Sequence, residues 1–225
     1  MTLNARQDLE LGDRSDGLPL GEAVFRSLRE ALRSGIYRPG DRLREEEVAQ
    51  RLQVSRTPVR EAFGRLVSKG LMVPAQGRGL IVRRLDTTEV IELYAMREIL
   101  EAAAARLAAQ HASSVEIEAL TDLEAGFEAA SGDAREMARL NRLFHESIFA
   151  ASRNRYLDSA LQELQDAIAL LGRTTFSVPG RPDPAAAEHR DIIAAIAARD
   201  PDRADEVARL HIHEALRSRL KIMQG

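Results

Sequence analysis

One segment constrains the fold of this chain more than any other: Gln53-Val54-Ser55-Arg56-Thr57-Pro58-Val59-Arg60-Glu61-Ala62. Proline lacks an N–H and sits comfortably in a helix only within the first turn. A helix covering this stretch must therefore begin near Ser55 to Thr57, either of whose hydroxyls can cap it. Along it Val59, Ala62, Phe63 and Leu66 fall at i, i+3, i+4 and i+7, the spacing of one buried stripe. Arg56, Thr57 and Arg60 fall on a face roughly 120° away at about 100° per residue. Two guanidinium groups and a hydroxyl at a helix start suit base edges and phosphates, because guanidinium bonds guanine or phosphate bidentately. A solvated arginine face has the same pattern, and the helix alone does not separate the two readings.

The flanking residues do. Upstream, Leu20, Val24, Leu28 and Leu32 recur every four residues with Ala31 beside them, which predicts an amphipathic helix over about 18–34 ended by Gly35. Ile36-Tyr37 reads as a short extended piece and Pro39-Gly40-Asp41 as a turn. A second helix is expected over about 45–52, with Glu45, Glu46 and Glu47 at the positive end of its dipole and Val48, Ala49 and Leu52 on its apolar face. Downstream, Leu71-Met72-Val73 and Leu80-Ile81-Val82 flank a tip of Pro74-Ala75-Gln76-Gly77-Arg78-Gly79. That is a β-hairpin wing whose Arg78 can reach a minor groove or a phosphate.

Charge supports this division. The chain of 225 residues carries a formal net charge of −3, yet residues 18–84 hold fourteen Lys and Arg against seven Asp and Glu, and residues 85–225 hold sixteen against twenty-four. A basic module on an acidic body is the electrostatic footprint of a protein that docks one end on nucleic acid. The length suits two domains, 18–84 and 85–225. Residues 1–17 are polar and acidic, do not read as a signal peptide, and are expected to form a flexible arm. An apolar fraction of 44% with 30% charged residues and no run of eighteen apolar residues suit a cytoplasmic globular protein rather than a membrane protein. The absence of cysteine excludes disulfides and thiolate chemistry, so any metal site must use His, carboxylate or amide ligands.

The strings "YRPGDRL", "VSRTPVREAF" and "GRGLIV" within residues 36–82 resemble the winged helix-turn-helix of the GntR superfamily of transcription regulators. The resemblance implies that Ser55, Arg56, Thr57, Arg60 and Gly79 contact double-stranded operator DNA, with Arg44 and Arg78 as further candidates. Gln53 stands where the family usually has Gly, and Phe63 where it usually has Leu.

From Thr87 onward the pattern predicts six helices and no strand, at about 87–109, 114–130, 133–151, 154–176, 185–198 and 201–222. Val178-Pro179-Gly180-Arg181-Pro182-Asp183-Pro184 is expected to be a loop. The fold class is thus mostly α: a winged helix-turn-helix followed by an antiparallel six-helix bundle. Polar residues interrupt the apolar stripes of this bundle. Asn141 and His145 are one turn apart on a face with Ile148 and Ser152. His189 aligns with Ile193 and Ile196, and His211 with Ala204, Val207, Ala208 and Ala215. A single inward His is ordinarily a satisfied core residue. Three on separate helices with an amide suit Zn²⁺, Ni²⁺ or Mn²⁺. His111, at a helix C-terminus, and His213, turned away from His211, read as structural or solvent-facing.

The strings "LYAMREILEAAAARLAA", "NRLFHESIFAASRN", "EHRDIIAAI" and "RLHIHEAL" are similar to the FCD effector domain of the FadR subfamily. In metal-binding members an Asp or Asn and three His ligate a divalent cation, which the resemblance carries to Asn141, His145, His189 and His211. Arg97 lies on the inward face with Val90, Leu93, Tyr94 and Ala104. It is either paired with Glu101 one turn on or an anchor for a carboxylate effector. The expectation is a homodimeric regulator that reads a near-palindromic operator and responds to a small carboxylate at a metal-containing pocket. The alternatives are a metal-free domain responding to an acyl thioester and, from another class, a metalloenzyme. Against the enzyme, no inward carboxylate is evident as a general base.

Overall fold

The computed structural model describes residues 9–11 and 17–224. Its contacts divide the chain into two compact units, Met1–Leu85 with Gln165–Gly172 and Asp86–Leu164 with Arg173–Gly225.

The first unit is a winged helix: α1 (Leu20–Arg33), β1 (Arg42–Leu43), α2 (Glu45–Arg51), α3 (Arg56–Ser68), β2 (Met72–Pro74) and β3 (Leu80–Val82). The strands form an antiparallel sheet of order β1-β3-β2, with Leu43 opposite Leu80 and Met72 opposite Val82. Its core is filled by Val24, Phe25, Leu28 and Leu32 of α1, Val59, Ala62, Phe63 and Leu66 of α3, and Met72 and Val82 of the wing. The α3 stripe is the one expected. On α1 the stripe is rotated slightly, so that Phe25 is buried and Leu20 only half-buried.

Four features depart from expectation. Ile36-Tyr37 is not extended: the Tyr37 N–H donates to Ala31 O, folding the chain back over the end of α1, and the ring enters the core. The strand that pairs with the wing comes after the turn, at Arg42–Leu43. Of the expected flexible arm, residues 1–8 and 12–16 lie outside the described residues. Leu9, however, is buried in this core, and Glu10 O accepts from the Ser27 hydroxyl. Finally, the unit includes residues far along the chain. Leu170 joins the core, and Asp166 accepts from Arg33 at 2.7 Å with both side chains about 5% exposed.

The second unit is all α, with α4 (Thr87–His111), α5 (Ser114–Ala129), α6 (Ala134–Ala151), most of α7 (Arg155–Ile168), α8 (Pro182–Ala197) and α9 (Pro201–Gln224). Capping boxes at Asp86 with Glu89 and at Ser113 with Glu116 start α4 and α5, and Asp133 caps α6. Alanines 102, 104, 105, 108 and 109 form the inner side of α4, against which α9 and α6 pack, with Phe144, Phe149, Ile192, Ile196 and Val207 filling the space between. The fourth expected helix stops at Ile168 and gives way to two 3₁₀ turns separated by Gly172, whose φ of 70° no helix continues through. The fifth begins three residues early, at Pro182. Its prolines occupy the first turn, where the missing N–H groups have no helical acceptor in any case. Among the described residues no helix is long and apolar enough to cross a membrane.

Gln53, in the position for which glycine is the common solution, has φ of 53° in the turn between α2 and α3. Left-handed backbone costs a residue with a Cβ about 1–2 kcal/mol, against roughly half that for glycine's extra unfolded-state freedom. Gln53→Gly is therefore expected to raise the stability of the winged helix by about 0.5–1 kcal/mol, read as a higher midpoint in denaturant unfolding.

Candidate nucleic-acid interface and metal centre

On the winged helix, Ser55 occupies the N-cap of α3 in extended conformation, and its side chain makes no capping bond. The hydroxyl is exposed, beside the backbone N–H groups of a helix N-terminus, an arrangement that suits a phosphate. Arg56, Thr57 and Arg60 are all exposed on the first turns of α3, on the side away from its buried stripe. Both arginines are tied to α2. Glu45 accepts from Arg60 Nε at 3.3 Å and Nη2 at 3.1 Å and from Arg56 Nη2 at 3.2 Å, while Glu46 accepts from Arg56 Nη1 at 2.8 Å. Hydrogen bonds from Arg60, opposed by slight burial and aided by Arg56, lower the Glu45 pKa. Arg44 precedes α2 and lies 3.4 Å from Glu47.

Arg78 is exposed at the wing tip, and its carbonyl accepts from Arg42 Nε at 3.1 Å; Arg42 also bonds Gln76 O. Gly79 has φ of 100°, and a Cβ there would collide with Leu43 O of the neighbouring strand. The glycine is thus needed for the approach of β1 to β3, whatever its backbone does at DNA.

In the helical unit, α6, α8 and α9 bring His145, His189 and His211 together, buried, with one ligand atom from each lying within 4.8 Å of the others. Behind each ring stands a glutamate. His189 Nδ1 is bonded to Glu124 at 2.6 Å and His211 Nδ1 to Glu188 at 2.7 Å. His145 Nδ1 is 2.8 Å from Glu101 Oε2, without hydrogen-bond alignment. Their Nε2 atoms are left for the centre: those of His145 and His211 are 3.2 Å apart, and His189 Nε2 is buried with no protein partner. Asn141, one turn before His145 on α6, likewise has a buried Oδ1 with no partner. A carboxylate on Nδ1 fixes the tautomer with its lone pair on Nε2 and is the usual support of a metal-ligating histidine. The residues therefore fit a divalent cation: imidazole nitrogens, an amide oxygen and acceptors that nothing else satisfies.

Electrostatics agree. Burial, then the neighbouring imidazoles and Arg181, pushes the His189 pKa well below the ordinary value, and burial followed by His145 does the same to His211. Both are neutral, the form that binds metal. Burial opposes ionisation of Glu101, but Arg97 and His145 outweigh it and hold its carboxyl at about 2, whereas burial raises Glu124 to about 7 against the pull of Arg190.

Arg97 is 6% exposed, donates to Glu101 at 2.8 Å and lies over the Tyr94 ring. The ion-pair half of its expected roles is therefore present. Arg181, also 6% exposed, makes two 2.6 Å bonds to Glu188. His111 and His213 are exposed. Glu124, Glu188 and Arg181 escaped the sequence reading, which named Glu101 alone of the three carboxylates behind the imidazoles. Glu124 was visible as a lone charge in the Leu120–Phe127 stripe of α5; Arg181 sits in a stretch whose turn residues carry no such sign.

A winged helix with an arginine-bearing recognition helix, joined to an all-helical unit around a ligand-type histidine centre, defines a DNA-binding transcription regulator with a C-terminal effector domain. Comparison with known families agrees: residues 20–82 match the model for bacterial regulatory proteins of the gntR family and residues 92–214 that for the FCD domain. The chain belongs to the GntR family and carries an FCD domain. It is 35% identical over 175 residues to the probable D-xylose utilization operon transcriptional repressor of Paenarthrobacter nicotinovorans, covering 77% of this chain and 76% of that one. To the Nta operon transcriptional regulator of Aminobacter aminovorans it is 37% identical over 133 residues, 59% of this chain and 63% of that protein. Among solved structures, E. coli McbR/YncC shares the fold with a TM-score of 0.80 at 23% identity, over 92% of this chain and 98% of that one.

Replacing a carboxylate behind a ligating imidazole typically costs about 10–100-fold in metal affinity. Glu124→Gln and Glu188→Gln are each expected to weaken Zn²⁺ or Ni²⁺ binding by about that factor in calorimetric titration.

Proposed function

We propose that the regulator senses a small carboxylate through a divalent cation held by Asn141, His145, His189 and His211, and that occupancy of this pocket sets its affinity for operator DNA. The observation that carries the reading is the convergence of three buried imidazoles, each backed by a glutamate; Asn141, one turn before His145 on α6, adds a buried oxygen with no partner. When bound, the cation would supply a Lewis-acid centre for a carboxylate oxygen. Asn141 in place of an acidic ligand leaves one more positive charge at the centre than an Asp would, which favours an anionic effector. Arg97, charged and buried one residue deep behind Glu101, adds to that field.

The cavity beside the imidazoles, lined by Ala105, Ile148, Phe149, Ile192 and Ala208 among others, measures about 10 Å³, the space of one water. A carboxylate ligand must displace side chains to enter, which gives it a reason to prefer one arrangement of the bundle over another. An acyl thioester finds far less room still. A sensor is favoured over an enzyme because the relatives are named as regulators. Two copies related by a two-fold axis would present two α3 helices to successive major grooves of a near-palindromic site.

The test is a titration of metal-loaded protein with a panel of small carboxylates, scored by operator affinity. A cognate acid should change that affinity about 5–150-fold, the range of a 1–3 kcal/mol coupling. His189→Ala should lose both metal and response while the unliganded protein binds DNA as before. Metal-loaded protein whose DNA affinity ignores every acid would reject the sensor reading.

A further inference from the structure

We infer that Glu45 is a positioning residue for sequence readout, and that it divides the labour of the two recognition arginines. The inference rests on α3 being the DNA-reading helix. Glu45 is the first residue of α2, where the helix dipole favours a carboxylate, and at 24% exposure it is much less exposed than the arginines it holds.

The bonding patterns of the two arginines differ. Arg60 meets Glu45 side-on, Nε to Oε1 and Nη2 to Oε2, a bidentate fork that fixes the guanidinium plane. Five N–H groups are available to a guanidinium, and this fork uses two. Both Nη1 hydrogens and the second Nη2 hydrogen stay outside it, so the end-on edge remains open, the edge that pairs with guanine O6 and N7. Arg56 instead spans two carboxylates through its two Nη atoms, Nη1 on Glu46 and Nη2 on Glu45. Its end-on edge is already engaged, and any DNA group that takes it must displace Glu46, which is 64% exposed and free to swing away. Arg60 is thus held ready to read a base, and Arg56 is a charge to be redirected to a phosphate.

A carboxylate at a DNA-facing surface repels phosphate, so simple electrostatics predicts that removing Glu45 strengthens binding to any duplex. Positioning predicts the opposite for discrimination. The experiment uses the full chain, a duplex enriched from a random pool by the wild type, and a scrambled duplex of equal length. Glu45→Gln should bind the scrambled duplex as well as or better than wild type. Its ratio of enriched to scrambled affinity should fall by about 10-fold, within the range of one lost bidentate base contact. Glu45→Asp keeps the charge and the helix-start preference but shortens the reach, and should lose discrimination too; it carries the test should Glu45→Gln not fold. Arg60→Lys should relax preference at one base pair, and Arg56→Lys should weaken both duplexes alike. The inference is overturned if both Glu45 variants keep the wild-type ratio, or if Arg56→Lys and Arg60→Lys relax preference equally. A wild type that enriches no sequence would instead overturn the DNA-reading assignment of α3, and this inference with it.

Discussion

Three imidazoles are buried within 4.8 Å of one another, where charge is costly and every ring N–H needs an acceptor. The glutamates on α4, α5 and α8 answer that constraint. His189 and His211 turn Nδ1 to a carboxylate and His145 Nδ1 lies 2.8 Å from Glu101, while the Nε2 atoms of His145 and His211 meet at 3.2 Å and that of His189 has no protein partner. A protein interior does not keep such a centre without a use for it, since buried acceptors with no partner each cost about 1–3 kcal/mol. The arginines complete the balance. Arg97 holds ionised the Glu101 carboxyl that burial would otherwise protonate, and Arg181 pairs with Glu188, so the order arginine, glutamate, histidine is repeated on two sides of the same point.

The winged helix uses the same pairing in a different setting. Glu45 with Arg56 and Arg60 is exposed to water, where ion pairs contribute little to stability. Here pairing fixes direction. The buried Arg33–Asp166 pair does yet another thing: together with Leu170 it makes residues 165–172 part of the winged helix, so the final turn of α7 belongs to the DNA-binding unit although the helix starts in the other.

Much of this was legible in the sequence, and the failures have physical causes. Helices with a clean apolar stripe or a capping box, such as α3, α4 and α5, lie within a residue or two of expectation because their ends are set locally. The three histidines were legible because each stands in an apolar stripe, where a polar side chain is conspicuous. Glu188 was not, since a glutamate preceding a histidine on a helix lies about 100° away and reads as surface. The end of α7 was misplaced because Ala169-Leu170-Leu171 is as helical in composition as what precedes it. The α-helix gives way there to a 3₁₀ turn that ends at Gly172, with Leu170 buried in the core of the winged helix.

Taken alone, the sequence determined that there are two units, that one is a basic winged helix with Arg56, Thr57 and Arg60 on its outer face, and that the other is an all-helical bundle with histidines turned inward. These follow from periodicity, proline and charge, which act over a few residues and leave their mark there. Only the tertiary structure decided which carboxylate stands behind which imidazole, that Glu45 holds both recognition arginines, and that residues 165–172 complete the winged helix. Each of these joins residues at least ten positions apart, whose meeting depends on how whole helices pack rather than on the composition of any one of them.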